Sequence, residues 1–96
     1  MTLTKIEPKH ALDAYIGMDA VTHLDASYKE VHSVVLAWVE SDLATGGPPD
    51  YVRSGQDSHG PYPSRVEAIA AARDFGRTVN AHRKLIGLPP KQWRYR

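Results

Sequence analysis

The sequence predicts a small α+β domain in which a β-hairpin or short antiparallel sheet packs against one long C-terminal α-helix. Residues 64–86 carry a capped helical pattern, and residues 30–42 are rich in β-branched side chains. Glycine and proline are concentrated in residues 45–50, between two apolar runs, where a hairpin would turn. If residues 28–44 were helical instead, the chain would form an all-α bundle, which is the alternative fold.

The first element, over residues 7–25, is predicted to be a helix, with an irregular strand as the alternative. Its large apolar side chains recur at roughly helical spacing, but Gly17 interrupts them. A glycine inside a helix costs about 1 kcal/mol relative to alanine. The spaced residues are Leu12, Tyr15, Ile16 and Leu24.

The middle run, residues 30–42, has two interpretations. As a helix, it would begin at a capping box formed by Ser27 and Glu30. As a strand, its apolar residues suit a pleated and largely buried position. We prefer the strand for two reasons. Its β-branched residues favour extended structure, and the turn at residues 45–50 could join it to residues 50–55 as a hairpin. Its apolar residues are Val31, Val34, Val35, Leu36, Trp38 and Val39.

The long helix, residues 64–86, has recognisable signals at both ends. Ser64 and Glu67 have the spacing of a capping box, in which side chains satisfy unpaired backbone N–H groups. Gly87 suits the left-handed residue that ends a helix, and the prolines at 89 and 90 prevent its continuation. One face is predicted to be buried. Its members are Ala68, Ala72, Phe75, Val79, His82 and Ile86.

Composition limits the chain to one modest core. Its 96 residues suit a single globular domain, predicted at residues 1–88, followed by a basic aromatic tail at residues 89–96 that either docks or stays flexible. Without cysteine there is no disulfide or thiolate metal site. The first ten residues lack the apolar run of a signal peptide, and no stretch is apolar enough to span a membrane. We therefore expect a cytoplasmic protein with no membrane partner.

Charge is unevenly distributed along the chain. Residues 1–48 hold three Lys/Arg and seven Asp/Glu, whereas residues 49–96 hold nine and four. This asymmetry indicates either an anionic partner for the second half or attraction between the two halves, within one fold or across a dimer.

A candidate binding surface follows from the long helix and the tail. Arg73, Arg77, Asn80 and Lys84 recur at steps of four, three and four, which places them in one row opposite Phe75. The tail mixes cations with aromatic rings, as single-stranded nucleic-acid binding requires. Its candidate residues are Lys91, Trp93, Arg94, Tyr95 and Arg96.

These observations predict a non-enzymatic binding or regulatory module that contacts nucleic acid or an acidic protein surface. The alternative is a homodimeric structural protein that buries Leu36 and Trp38 between copies, with no nucleic-acid role. A third hypothesis is an enzyme using Asp57, His59 and Tyr62 in a loop at residues 54–60.

Neither a metal nor a cofactor is predicted, and no catalytic residue is assigned. The five histidines have no chelating spacing, and no nucleophile elbow accompanies the serines near His59. The acidic residues of the first half, Glu40 among them, are expected to be dispersed over the surface.

Overall fold

A computed structural model describes residues 5–41 and 52–94. The described chain forms a three-stranded antiparallel sheet in the order β1-β2-β3, packed against one C-terminal helix, which confirms the α+β prediction. No all-α bundle is present in this part of the chain. The elements are a short 3₁₀ helix (Leu12–Ala14), β1 (Tyr15–Leu24), β2 (Glu30–Ser41), β3 (Val52–Tyr62) and α1 (Arg65–Leu85).

The helix predicted over residues 7–25 is wrong, because most of this segment is strand β1. The register slips between Tyr15 and Gly17, which face Trp38 and Ala37 of β2. This irregularity puts an extra residue into β1, so Tyr15 and Met18 are both buried although they are three positions apart. A three-residue apolar spacing therefore arises here from a bulge in a strand.

Strand β2 confirms the predicted extended run. Val34 and Leu36 are fully buried on the face that packs against α1, hereafter the inner face of the sheet. The opposite, outer face carries the alternate side chains of β2, including Val35 and Ala37. The predicted turn at residues 45–50 lies outside the described residues.

The loop that we predicted at residues 54–60 is wrong, because these residues belong to strand β3. This stretch has few β-branched residues, so the sequence did not predict a strand here. It is extended because residues 54–59 pair with the central strand β2, for example Gln56 with Ala37 and Ser58 with Val35. The antiparallel pairing of β2 with β3 confirms that residues 52–55 lie in a strand beside the middle run, as the hairpin prediction requires.

Helix α1 begins and ends as its local sequence predicts. Ser64 Oγ accepts a hydrogen bond from the Glu67 backbone N–H at 3.2 Å. At the other end Gly87 has a φ of 81°, and Leu88 N donates to Arg83 O at 2.8 Å, the pattern of a Schellman motif. The predicted face is buried from Ala68 to Val79, but Ile86 caps the helix and is exposed.

The core lies between α1 and the inner face, with α1 mainly over β1 and β2. Residues 5–10, hereafter the N-terminal segment, lie over β3 instead, with Ile6 in the core and His10 beside Asp57. This segment therefore covers the part of the sheet that a single helix leaves open. None of the helices in the described ranges is both long and apolar enough to cross a membrane.

Candidate functional site

The row of cations predicted on α1 lies on the exposed side of the helix. Arg73, Arg77 and Lys84 are exposed, and the opposite side carries buried Phe75 and Val79. Arg77 is 72% exposed and has only a 3.7 Å ion pair to Asp74, one turn away. Surface pairs of this kind contribute little stability, so the guanidinium remains available to an external anion.

Asn80, predicted as the fourth member of this row, holds the tail. Its Nδ2 donates to Lys91 O at 3.0 Å, and its Oδ1 accepts from Lys91 N at 3.0 Å. These two hydrogen bonds join one side chain to both polar groups of one backbone residue, which fixes the position of the tail along α1. Asn80 is therefore an anchor for the tail.

The described part of the tail docks on the domain. Arg83 Nε donates to Pro89 O at 2.7 Å, and Trp93 is partly buried against the core. Lys91 is thereby held beside Asn80 of α1, and Arg94 is exposed three residues further along the tail. The candidate residues Tyr95 and Arg96 lie outside the described residues.

A cluster at the inner face was not predicted from the sequence. His10 lies between two carboxylates, with Nδ1 2.6 Å from Glu40 Oε1 and Nε2 3.5 Å from Asp57 Oδ2. Its ring stacks on Trp38 with centroids 3.9 Å apart. Nδ1 makes a hydrogen bond with Glu40, whereas Nε2 only approaches Asp57 Oδ2, which has no hydrogen-bond partner among the described residues. Glu40 is therefore not dispersed over the surface as we expected.

Glycine at position 55 allows Trp38 to lie flat against β3. A Cβ at Gly55 would stand 2.7 Å from Trp38 Cζ2, closer than a real contact permits. Trp38 and Leu36 both lie on the inner face and pack within the chain. A homodimer could not bury Leu36 as we suggested, since it is already fully buried.

The residues of the enzyme hypothesis border a groove of about 590 Å³ between the N-terminal segment and β3. His59 and Tyr62 line it, whereas Asp57 lies outside its lining and faces His10, with Oδ2 3.5 Å from Nε2. Burial raises the pKa of the Tyr62 hydroxyl, which makes it a weaker acid. Across the described ranges, no three His, Asp or Glu side chains are arranged to hold a metal ion.

Acidification is expected to destabilise the fold through His59. Burial, and then the charge of Lys9, lower the pKa of the His59 imidazole, against an opposing effect of Asp57. The unfolded chain therefore takes up this proton at a higher pH than the folded chain. The free energy of unfolding should fall as the pH drops below about 6.5, the ordinary value for histidine.

Urea unfolding at neutral and mildly acidic pH checks this expectation. His59→Gln should lose less stability on acidification than the wild type, because it lacks the group that protonates preferentially in the unfolded state. His23→Gln is the matched control, since His23 is exposed on β1. An equal loss in the wild type and in His59→Gln would contradict the assignment.

Comparisons with protein-family models, with curated proteins and with solved structures gave no match for this chain. Its function therefore has to be inferred from its own residues.

Proposed function

We propose that the protein is a non-enzymatic binding module that contacts an anionic partner through one face of α1 and the docked tail. We call this the basic surface, and it consists of Arg73, Arg77, Lys84, Lys91 and Arg94. The observation that supports it best is the double hydrogen bond between Asn80 and Lys91, at 3.0 Å each. Because of this anchor, the cations of the tail add to those of the helix.

The charge of this region favours an anionic partner. Residues 64–94 contain seven Lys/Arg and two Asp/Glu. From Arg73 to Lys84 the helix rises about 16 Å, so its cations could contact several charges of an extended polyanion. The mobile ends of exposed Lys and Arg side chains suit phosphate contacts that do not depend on sequence.

Nucleic acid is the partner that we favour, and an acidic protein surface is the alternative. A linear row of exposed cations fits a single strand, whose phosphates are accessible along its length. A cytoplasmic location, which the sequence predicts, would allow either partner and stays a prediction.

Binding of a labelled, mixed-sequence single-stranded oligonucleotide tests the proposal. The affinity should fall steeply between about 50 mM and 200 mM salt, with a slope of about −0.7 per phosphate contact. The double variant Arg77→Ala/Lys84→Ala should bind more weakly and lose about 1.4 from the magnitude of the slope, for two contacts. Fluorescence anisotropy measures both quantities.

Lys29→Ala is the matched control, because Lys29 is an exposed cation away from the basic surface. It should change neither affinity nor slope. Absence of binding at low salt would refute the nucleic-acid form of the proposal. Binding to an acidic polypeptide that the double variant loses would then support the acidic-protein form.

A further inference from the structure

The outer face of the sheet contains a depression beneath the tail. Gly17, Ala37 and Gln56 are neighbours in one row across the three strands, and Asp19 and Val35 pair in the adjoining row. Glycine and alanine leave little side chain above the first row, so the sheet surface is low there. The tail residues Gln92, Trp93 and Arg94 border the same space, which forms a groove of about 350 Å³.

The lining of this groove is apolar at its base and polar at its rim. Val35 and Ala37 belong to the central strand, whereas the exposed side chains of Asp19 and Gln56 rise from the strands on either side. Gln92 and Arg94 add an amide and a guanidinium from the tail. The polar groups converge over a small apolar floor, and the volume lies within the usual range of ligand sites.

Trp93 supplies a second observation that points to a ligand. It lines the groove with Gln92 and Arg94 of the tail. An aromatic side chain on which a base can stack is a usual part of a single-strand binding site. A planar ligand in this groove could therefore contact the indole and the apolar floor with its faces.

We propose that this groove binds one unstacked nucleobase that carries an exocyclic amino group, with Arg94 contacting the adjoining phosphate. This inference rests on the proposed function and adds a base site to it. The tail is common to both sites, because Lys91 and Arg94 belong to the basic surface and residues 92–94 border the groove. A strand whose phosphates follow the basic surface could therefore place one base in the groove.

Asp19 determines which bases fit. An ionised carboxylate only accepts hydrogen bonds, so it favours a base that presents an amino donor. Cytosine and adenine have such a group, whereas thymine presents carbonyl oxygens at the equivalent position. The groove should therefore prefer cytosine or adenine to thymine, and a good pair of this kind is worth roughly tenfold in affinity.

Binding of oligo-dC, oligo-dA and oligo-dT of equal length, at the same salt concentration, tests the inference. The wild type should bind oligo-dC and oligo-dA roughly tenfold more tightly than oligo-dT. Asp19→Asn should lose most of this preference, since an amide can donate as well as accept. Removing a negative charge strengthens binding to every oligonucleotide, so the ratio of the affinities is the quantity to compare.

A second variant blocks the groove sterically. Ala37→Leu should fill the depression and reduce the preference, whereas Asp25→Asn, a carboxylate change in the turn after β1, should leave the ratio unchanged. Circular dichroism confirms that each variant is folded.

The outcomes separate this inference from the proposed function. Salt-dependent binding without any preference between oligo-dC and oligo-dT would overturn the base site and leave the basic surface in place. A preference that survives in Asp19→Asn would also overturn it. If no oligonucleotide binds at low salt, both proposals fail for nucleic acid.

Discussion

Phe75→Ala is expected to lower the free energy of unfolding by about 3–5 kcal/mol, the largest effect of any change considered for this protein. Phe75 is 2% exposed, and its ring meets Tyr15 edge to face with centroids 5.0 Å apart. Removing the ring leaves a cavity between α1 and β1, and it also removes the aromatic pair. Small domains have total stabilities of about 5–15 kcal/mol, so this variant should be close to unfolding at room temperature.

Urea unfolding followed by circular dichroism measures the change. Val66→Ala is the matched control, because Val66 lies in the same helix and is 76% exposed. It should alter the stability by no more than about 0.5 kcal/mol. Equal midpoints for Phe75→Ala and Val66→Ala would mean that α1 does not pack on β1 as described.

The elements that could be predicted are those whose signals are local. The ends of α1 depend on Ser64 and Glu67 at one end and Gly87 at the other, all within a few residues of the helix terminus. Strand β2 was recognisable because β-branched side chains disfavour a helix along its whole length.

The errors came from features that need a second strand. The spacing of Leu12, Tyr15, Ile16 and Leu24 indicates a helix, but Ile16 lies in the bulge of β1 and Leu24 is exposed at the end of this strand. Strand β3 has a polar, glycine-containing sequence, and only its pairing with β2 makes it extended. Strand preference depends on neighbours in the sheet more than on the residue itself, so a single sequence carries little of this information.

In the candidate site, too, the residues with local signals could be predicted and those that depend on distant partners could not. The row of Arg73, Arg77 and Lys84 could be predicted, because it depends only on helical spacing. The role of Asn80 could not, since its partner Lys91 belongs to a segment beyond the end of the helix. The groove on the outer face was also missed, because its lining comes from three strands and the tail.

The cluster at His10 shows why a site formed by tertiary contacts is hard to predict from the sequence. His10 and Glu40 are thirty positions apart, and they meet only because the N-terminal segment folds back over β3. No spacing rule relates them. A signal was nevertheless present, since a partly buried histidine usually needs a partner for its ring nitrogens.

His10→Ala is expected to lower the free energy of unfolding by about 1–3 kcal/mol. The substitution leaves Glu40 and Asp57 without the imidazole that lies between them, 2.6 Å and 3.5 Å away, and it uncovers the face of Trp38. Glu40 retains a second partner in Arg53, at 3.2 Å, so the loss comes mainly from the hydrogen bond to Glu40 and from the stacking on Trp38. His23→Ala, at an exposed position on β1, is the matched control and should change little.

A double-mutant cycle separates the ion pair from the packing of the ring. If His10 and Glu40 interact as described, His10→Ala and Glu40→Gln should together cost less than the sum of their separate effects, by about 0.5–3 kcal/mol. Additive effects would show that His10 stabilises the fold through Trp38 alone.

Hydrogen exchange tests whether the cluster at His10 holds the N-terminal segment in place. The hydroxyl of Tyr15 accepts from the backbone N–H groups of Lys9 and His10, at 3.0 Å and 3.2 Å, so Tyr15→Phe weakens the same segment by an independent route. Both His10→Ala and Tyr15→Phe should speed exchange in residues 5–10 while leaving the middle of α1 protected, because local opening does not require the core to unfold. Equal protection of residues 5–10 in the wild type and both variants would show that Ile6 alone fixes this segment, and that the charges around His10 do not hold it on β3.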